Sequence, residues 1–175
     1  VPASINGKKV TVIGSSALAR IDASSVIIPE GVTAIESKAF YYADEMTEIT
    51  LPSTLRTLGQ EAFYSCKKLT SVYLPYGVTS VGTSTFYDCE SLSYVYLPQT
   101  ITQIGSKAFH GCDALQRIDL PDRITSMTST SFDKGVTKLY VKSGSQTADK
   151  LLDLNYEIAG EKDIYPLSFQ IYGVP

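Results

Sequence analysis

Proline stands at Pro29, Pro52, Pro75, Pro98 and Pro121, each 23 residues after the one before. Phenylalanine keeps the same step at Phe40, Phe63, Phe86, Phe109 and Phe132. Five of the eight prolines and five of the six phenylalanines therefore share one period, which marks an array of equal structural units. Aliphatic columns follow the same step, among them Ile49, Val72, Val95 and Ile118, and Met46, Leu69, Leu92 and Leu115. A third runs Val32, Leu55, Val78, Ile101, Ile124. A unit this short owns too few apolar side chains to build a core. Stacking unit on unit turns each column into a continuous ladder, so the fold expected is a repeat solenoid, mainly β with little helix.

Within one unit, Ser71-Val72-Tyr73-Leu74 alternates polar and apolar as a half-buried strand does. Pro75 ends it, having no N–H to donate. Val78 to Val81 is a second extended piece, and Gly82 permits a turn. Ser84-Thr85-Phe86-Tyr87 reads as one helical or 3₁₀ turn. The solenoid is expected over 1–141, with a degenerate first unit at about 7–25 that sets Leu18 in the Phe column. Regular units occupy about 26–132 and a short last strand 138–141. A C-terminal cap is expected at 142–160. There Ser145 starts a helix from about Gln146 to Leu154, with Leu151, Leu152 and Leu154 over the open end. Residues 161–175 read as a tail or additional strand, because Leu167 to Tyr172 alternates.

Composition removes several functions. A net charge of −3 gives no basic footprint for nucleic acid. No apolar run reaches the roughly 18 residues of a spanning helix, so no membrane insertion is expected. No charged-then-apolar leader appears after Val1, so no signal peptide is expected within this chain. A single histidine excludes His-pair metal motifs. Cys66, Cys89 and Cys112 share a column with Ala43 and Gly135, a position that accepts only small residues. Side chains running parallel along a ladder suit neither a disulfide nor a tetrahedral metal site, so these read as reduced, buried thiols. Neither a cofactor nor a metal is expected.

The unit Leu69-x-x-Val72-x-Leu74, the proline after that strand, the Val-x-x-Val-Gly piece and the Ala-Phe-x-x-Cys turn (Ala108, Phe109, Cys112) resemble the BspA-like leucine-rich repeats. The resemblance spans about Val10 to Val141. It implies a right-handed stack with a parallel sheet on its concave face and short extended and 3₁₀ segments elsewhere. It also implies a bacterial protein, secreted or held at the cell surface, non-catalytic and engaged in adhesion or protein binding. The asparagine usual after the strand in the wider superfamily is replaced by Gly31, Thr54, Gly77, Thr100 and Arg123. That turn must therefore satisfy its backbone by other means.

Strand residues aimed away from the core would form one face. The candidate contact residues on it are Thr50, Tyr73, Tyr94, Tyr96, Arg117, Asp119 and Tyr140. Tyrosine and arginine suit a macromolecular ligand, a protein before a glycan. Cross-strand aromatic packing that merely stabilises the sheet is the competing reading. A second row, Tyr41, Tyr64, Tyr87 and His110, with Tyr42 and Tyr76 nearby, reads first as ring packing along the stack and second as a contact strip. His110 with Asp113 and Glu90 has no nucleophile beside it, so no enzyme is expected. Asp44, Glu45, Asp88 and Glu90 read as a solvated acidic edge. The functional alternatives are a binding module and a structural spacer that presents a neighbouring domain. The chain alone gives no oligomeric state.

Overall fold

A computed structural model of the chain describes residues 1–133 and 137–161. Along the chain run β1 (Ser4–Ile5), β2 (Lys8–Lys9), β3 (Val12–Ile13), β4 (Ser25–Ile27), β5 (Ala34–Ile35), β6 (Glu48–Thr50) and β7 (Thr57–Leu58). Then come β8 (Ser71–Tyr73), β9 (Ser80–Val81), β10 (Tyr94–Tyr96), β11 (Gln103–Ile104), β12 (Arg117–Asp119), β13 (Lys138–Val141), α1 (Gln146–Asp153) and β14 (Ile158–Glu161). The chain is a β-solenoid of about six turns. Gly135 of the cysteine column and residues 162–175, which hold the alternating Leu167–Tyr172, lie outside the described residues.

Each coil contributes to three parallel ladders. The first sheet pairs strands one period apart, Val26 with Ile49 and Tyr96 with Tyr73. A second sheet forms from the Val-x-x-Val pieces, Ile13 with Ile35 and Ile35 with Leu58. The strand order of the first sheet is β4-β6-β8-β10, with β12-β13-β14 as a separate segment; the second divides into β3-β5-β7 and β9-β11.

The third ladder corrects the expected helical or 3₁₀ turn. Between Gly82 and Cys89 the backbone alternates its partners. Tyr87 N donates to Ser84 O in its own turn (3.2 Å), while Phe86 N donates to Ala108 O of the next coil (2.9 Å). The i→i−3 bonds of a 3₁₀ turn are present, but no helix can propagate, because Ser84 (φ 52°) and Asp88 (φ 60°) are left-handed. This conformation turns every second amide toward the neighbouring coil. Gly111 holds the equivalent of Asp88 one coil on, at φ 73°, and its N–H donates to Asp133 Oδ2 at 2.7 Å.

The interior is a set of side-chain ladders. Phe40, Phe63, Phe86, Phe109 and Phe132 are all buried, with ring centroids 5.2, 5.4, 5.4 and 5.0 Å apart in order. Leu18 continues the column, its N–H donating to Ala39 O as Phe40 donates to Ala62 O. Cys66, Cys89 and Cys112 are free and buried. Each donates its thiol to the carbonyl of the phenylalanine one coil back, Phe40, Phe63 and Phe86, at 3.0–3.1 Å.

Threonine stands in for the missing asparagine ladder. Thr54 Oγ1 accepts from Gly31 N (3.0 Å) and donates to Val32 O (2.8 Å). Thr100 Oγ1 donates likewise to Val78 O at 2.8 Å. Between them Gly77 is required by space, since a Cβ there would run into Leu55 O and the Arg56 side chain. At the end of the array Thr147, on α1, repeats the device: its Oγ1 accepts from Ile124 N (2.9 Å) and donates to Pro121 O.

Ser145 caps α1, its Oγ accepting from Ala148 N at 3.2 Å. Leu151 is buried and Leu154 half-buried over the last coil. Leu152, expected beside them, instead faces water at 65% exposure, because it lies one residue round the helix from Leu151. The place is taken by Tyr156. Its ring meets Phe132 edge-on at 6.2 Å, and its hydroxyl accepts from Phe132 N (3.2 Å), the amide that in earlier coils finds the next coil's carbonyl.

Candidate binding face

The exposed side of the first sheet carries the candidate contact residues, because strand alternation sends Val72 and Val95 inward and their neighbours outward. Tyr73 is 61% exposed and Tyr94 43%, their rings tilted 45° to each other at 5.3 Å. Tyr96 pairs in register with Tyr73, and its hydroxyl lies 3.3 Å from that of Tyr76. Burial, helped by that contact, raises the Tyr96 phenol well above its ordinary value, so Tyr96 stays protonated and neutral. The register of Glu48 with Ser71 places half-buried Thr50 beside Tyr73. Thr50, Tyr73, Tyr94 and Tyr96 thus form one group, which Tyr76 joins. Tyr76 was grouped by sequence with the turn row; its position just after Pro75, at the strand end, is the signal that assigns it here.

Arg117, Asp119 and Tyr140 form a second group, on the β12–β13 segment. Arg117 Nε contacts Asp119 Oδ1 at 3.0 Å, and its guanidinium lies 4.0 Å over the Tyr140 ring. Asp119 and Tyr140 are register partners. Sheet segmentation between β10 and β12 therefore divides the face into a neutral tyrosine cluster and a compact ionic and aromatic triad.

The other tyrosine row behaves differently. Tyr41, Tyr64, Tyr87 and His110 are half-buried along the turn ladder, at 4.9, 4.7 and 5.1 Å between successive rings. Tyr64 and Tyr87 lie within 7° of parallel. Tyr42 packs edge-on against Tyr41 at 4.7 Å. Desolvation, then the neighbouring phenols, raises the Tyr64 pKa. Here the rings pack on one another along the row, and all four side chains are half-buried.

His110 does not meet Asp113 or Glu90; its Nδ1 pairs with Asp133. Part of the acidic edge is likewise engaged by lysines one coil away, on either side. Lys67 reaches Glu90 at 2.6 Å and Lys68 reaches Glu45 at 2.7 Å, as exposed pairs of small worth. Among the described residues no group of three or more His, Cys, Asp or Glu could hold a metal ion, and no helix is long and apolar enough to cross a membrane.

Comparison with known proteins places this geometry. The profile of the BspA type leucine rich repeat region matches residues 9–139, in six copies. A leucine-rich repeat protein from Bacteroides ovatus is similar at 26% identity and a TM-score of 0.58, over 75% of this chain and 45% of that one. A leucine rich cell surface protein from Faecalibacterium prausnitzii is similar at 28% identity and a TM-score of 0.58, over 79% and 46%. The T. pallidum leucine rich repeat protein shares the fold, at 22% identity and a TM-score of 0.67, over 92% and 83%. The chain spans a little under half the length of the first two. No curated protein matches.

Proposed function

The chain belongs to the BspA-type leucine-rich repeat family, and from that premise we propose that it is a non-catalytic binding module of a bacterial protein exported to the cell surface or beyond. The solenoid coils up to about 141 carry the contact face, and residues 142–160 close their end. The ligand is a macromolecule, a protein before a glycan. One observation carries the reading: Tyr73 and Tyr94 stand splayed on a rigid sheet with large exposed areas, at 61% and 43%. Exposed, preorganised tyrosines offer contact area with little rotamer freedom left to lose. A spacer has no need of them, and sheet stabilisation would use their faces as the turn row does.

The test is a panel of host and bacterial extracellular proteins, with a glycan array, probed with the parent chain and with Tyr73→Ala/Tyr96→Ala. The expected result is at least one ligand whose affinity falls by about 30-fold or more in the variant while its melting curve stays near the parent's. Ligands bound equally by both proteins would remove the tyrosine face from the function, and an empty panel would favour the spacer.

A further inference from the structure

Charge is sorted along the face that carries the tyrosines. The outward residues that open the strands of successive coils are Glu48, Ser71, Tyr94, Arg117 and Lys138. Glu48 and Lys138 are exposed, and neither enters an ion pair among the described residues. Arg117, the register partner of Lys138, already contacts Asp119, so Lys138 carries the unbalanced positive charge there. In the coils between, the outward strand residues are Ser71, Tyr73, Tyr94 and Tyr96, none of them charged. Four coil steps of about 4.8 Å put Glu48 and Lys138 about 19 Å apart, on a strip two outward positions, or about 7 Å, wide. Tyr76 stands along one long edge, its hydroxyl 3.3 Å from that of Tyr96.

We propose that this strip takes one extended segment of a partner protein, basic over Glu48, apolar or proline-containing over the tyrosines, and acidic over Lys138. This rests on the binding reading above and narrows its ligand. Charge complementarity sets the polarity, since a carboxylate over Glu48 or an ammonium over Lys138 would be repelled. The dimensions set the form. A strip this narrow falls far short of the roughly 800 Å² that a folded partner covers on each side, whereas about six extended residues span its length. The segment crosses the strands rather than adding one, because β8 has β6 and β10 on either side. Its middle suits the tyrosines: rings stack on proline or aliphatic side chains, and phenol hydroxyls reach the backbone groups that an extended segment leaves unpaired.

Selection of a displayed library of random linear dodecapeptides on the immobilised chain tests the proposal. Enriched sequences should carry Lys or Arg and Asp or Glu about six positions apart, around an apolar or proline-containing middle. One such peptide is then made in three forms, with opposite, doubly acidic or doubly basic ends. The chain should bind the opposite-ended form about fivefold tighter than either other at low salt. Glu48→Lys should move that preference to the doubly acidic form and Lys138→Glu to the doubly basic one, with melting curves near the parent's. Enriched sequences without opposite end charges, or a preference that neither substitution moves, would overturn the proposal. If those peptides still lost affinity for Tyr73→Ala/Tyr96→Ala, the tyrosine face would stand without its polarity. A folded protein bound through the tyrosines, with no linear peptide enriched, would overturn the proposal too while leaving the binding reading intact.

Discussion

Two tyrosine rows run along this solenoid, and they use the same side chain in opposite ways. Along the turn ladder Tyr64 is sandwiched between Tyr41 and Tyr87, at 4.9 and 4.7 Å. On the first sheet Tyr73 touches Tyr94 at 5.3 Å with a 45° tilt and keeps most of its surface in water. The cause is local. The tight turns hold successive rings on one narrow flank, one coil apart, so the rings must stack. On the sheet, Tyr73 and Tyr94 sit in different columns and meet only diagonally, which leaves their faces open. Tyr73 has Tyr96 as its register partner in the adjacent coil, yet its ring packs at a tilt against Tyr94, so a shared column does not by itself make tyrosines stack.

The interior row sets the scale for breaking that contrast. Phe86→Ala opens a cavity between two stacked rings and should cost about 3–5 kcal/mol in denaturant unfolding. A loss below 1 kcal/mol would remove the shared core. Tyr156→Phe keeps the ring at the end of the column but deprives the Phe132 amide of its acceptor, and should cost about 1–3 kcal/mol by the same assay. Tyr64→Ala should follow at about 1–2 kcal/mol, from two lost ring contacts on a half-buried site. The turn row would join the sheet row if that variant melted with the parent.

The thiol column adds a pH-dependent check on the interior. Burial lifts Cys66 from the usual 9.0 to about 12. The unfolded thiol ionises first, so the contribution of its burial is whole below pH 9.0 and is lost as pH climbs toward 12. Ala43 fills the same column one coil earlier, so Cys66→Ala should fold and show a shallower fall in unfolding midpoint across that window. Equal slopes for the two proteins would place the thiol in water.

The periodicity made the ladders legible, because each column had to be buried by its own repeats. It did not reveal what happens where repetition stops. Tyr156 lies outside the period, and only its distance from the last regular unit hinted that it closes the Phe column. Asp133 stands one period after His110, at the end of the tyrosine column, so that pairing was open to the spacing argument and was missed. The left-handed residues went unseen because Lys38, Tyr42, Glu61, Ser65, Ser84, Asp88 and Lys107 include few of the residue types that favour positive φ. Inter-coil hydrogen bonds impose that conformation, and no local preference announces it. Strand alternation told which residues leave the core, but not where the first sheet divides, since a uniform repeat carries no mark of where a ladder lapses.

The most direct test of the contrast is urea unfolding of Tyr73→Ala/Tyr94→Ala beside the parent. The two sheet tyrosines are expected to cost no more than about 0.5 kcal/mol each, with an unchanged denaturant slope. A loss approaching that of Phe86→Ala would show that these rings hold the coils together, and would leave the binding face without its residues.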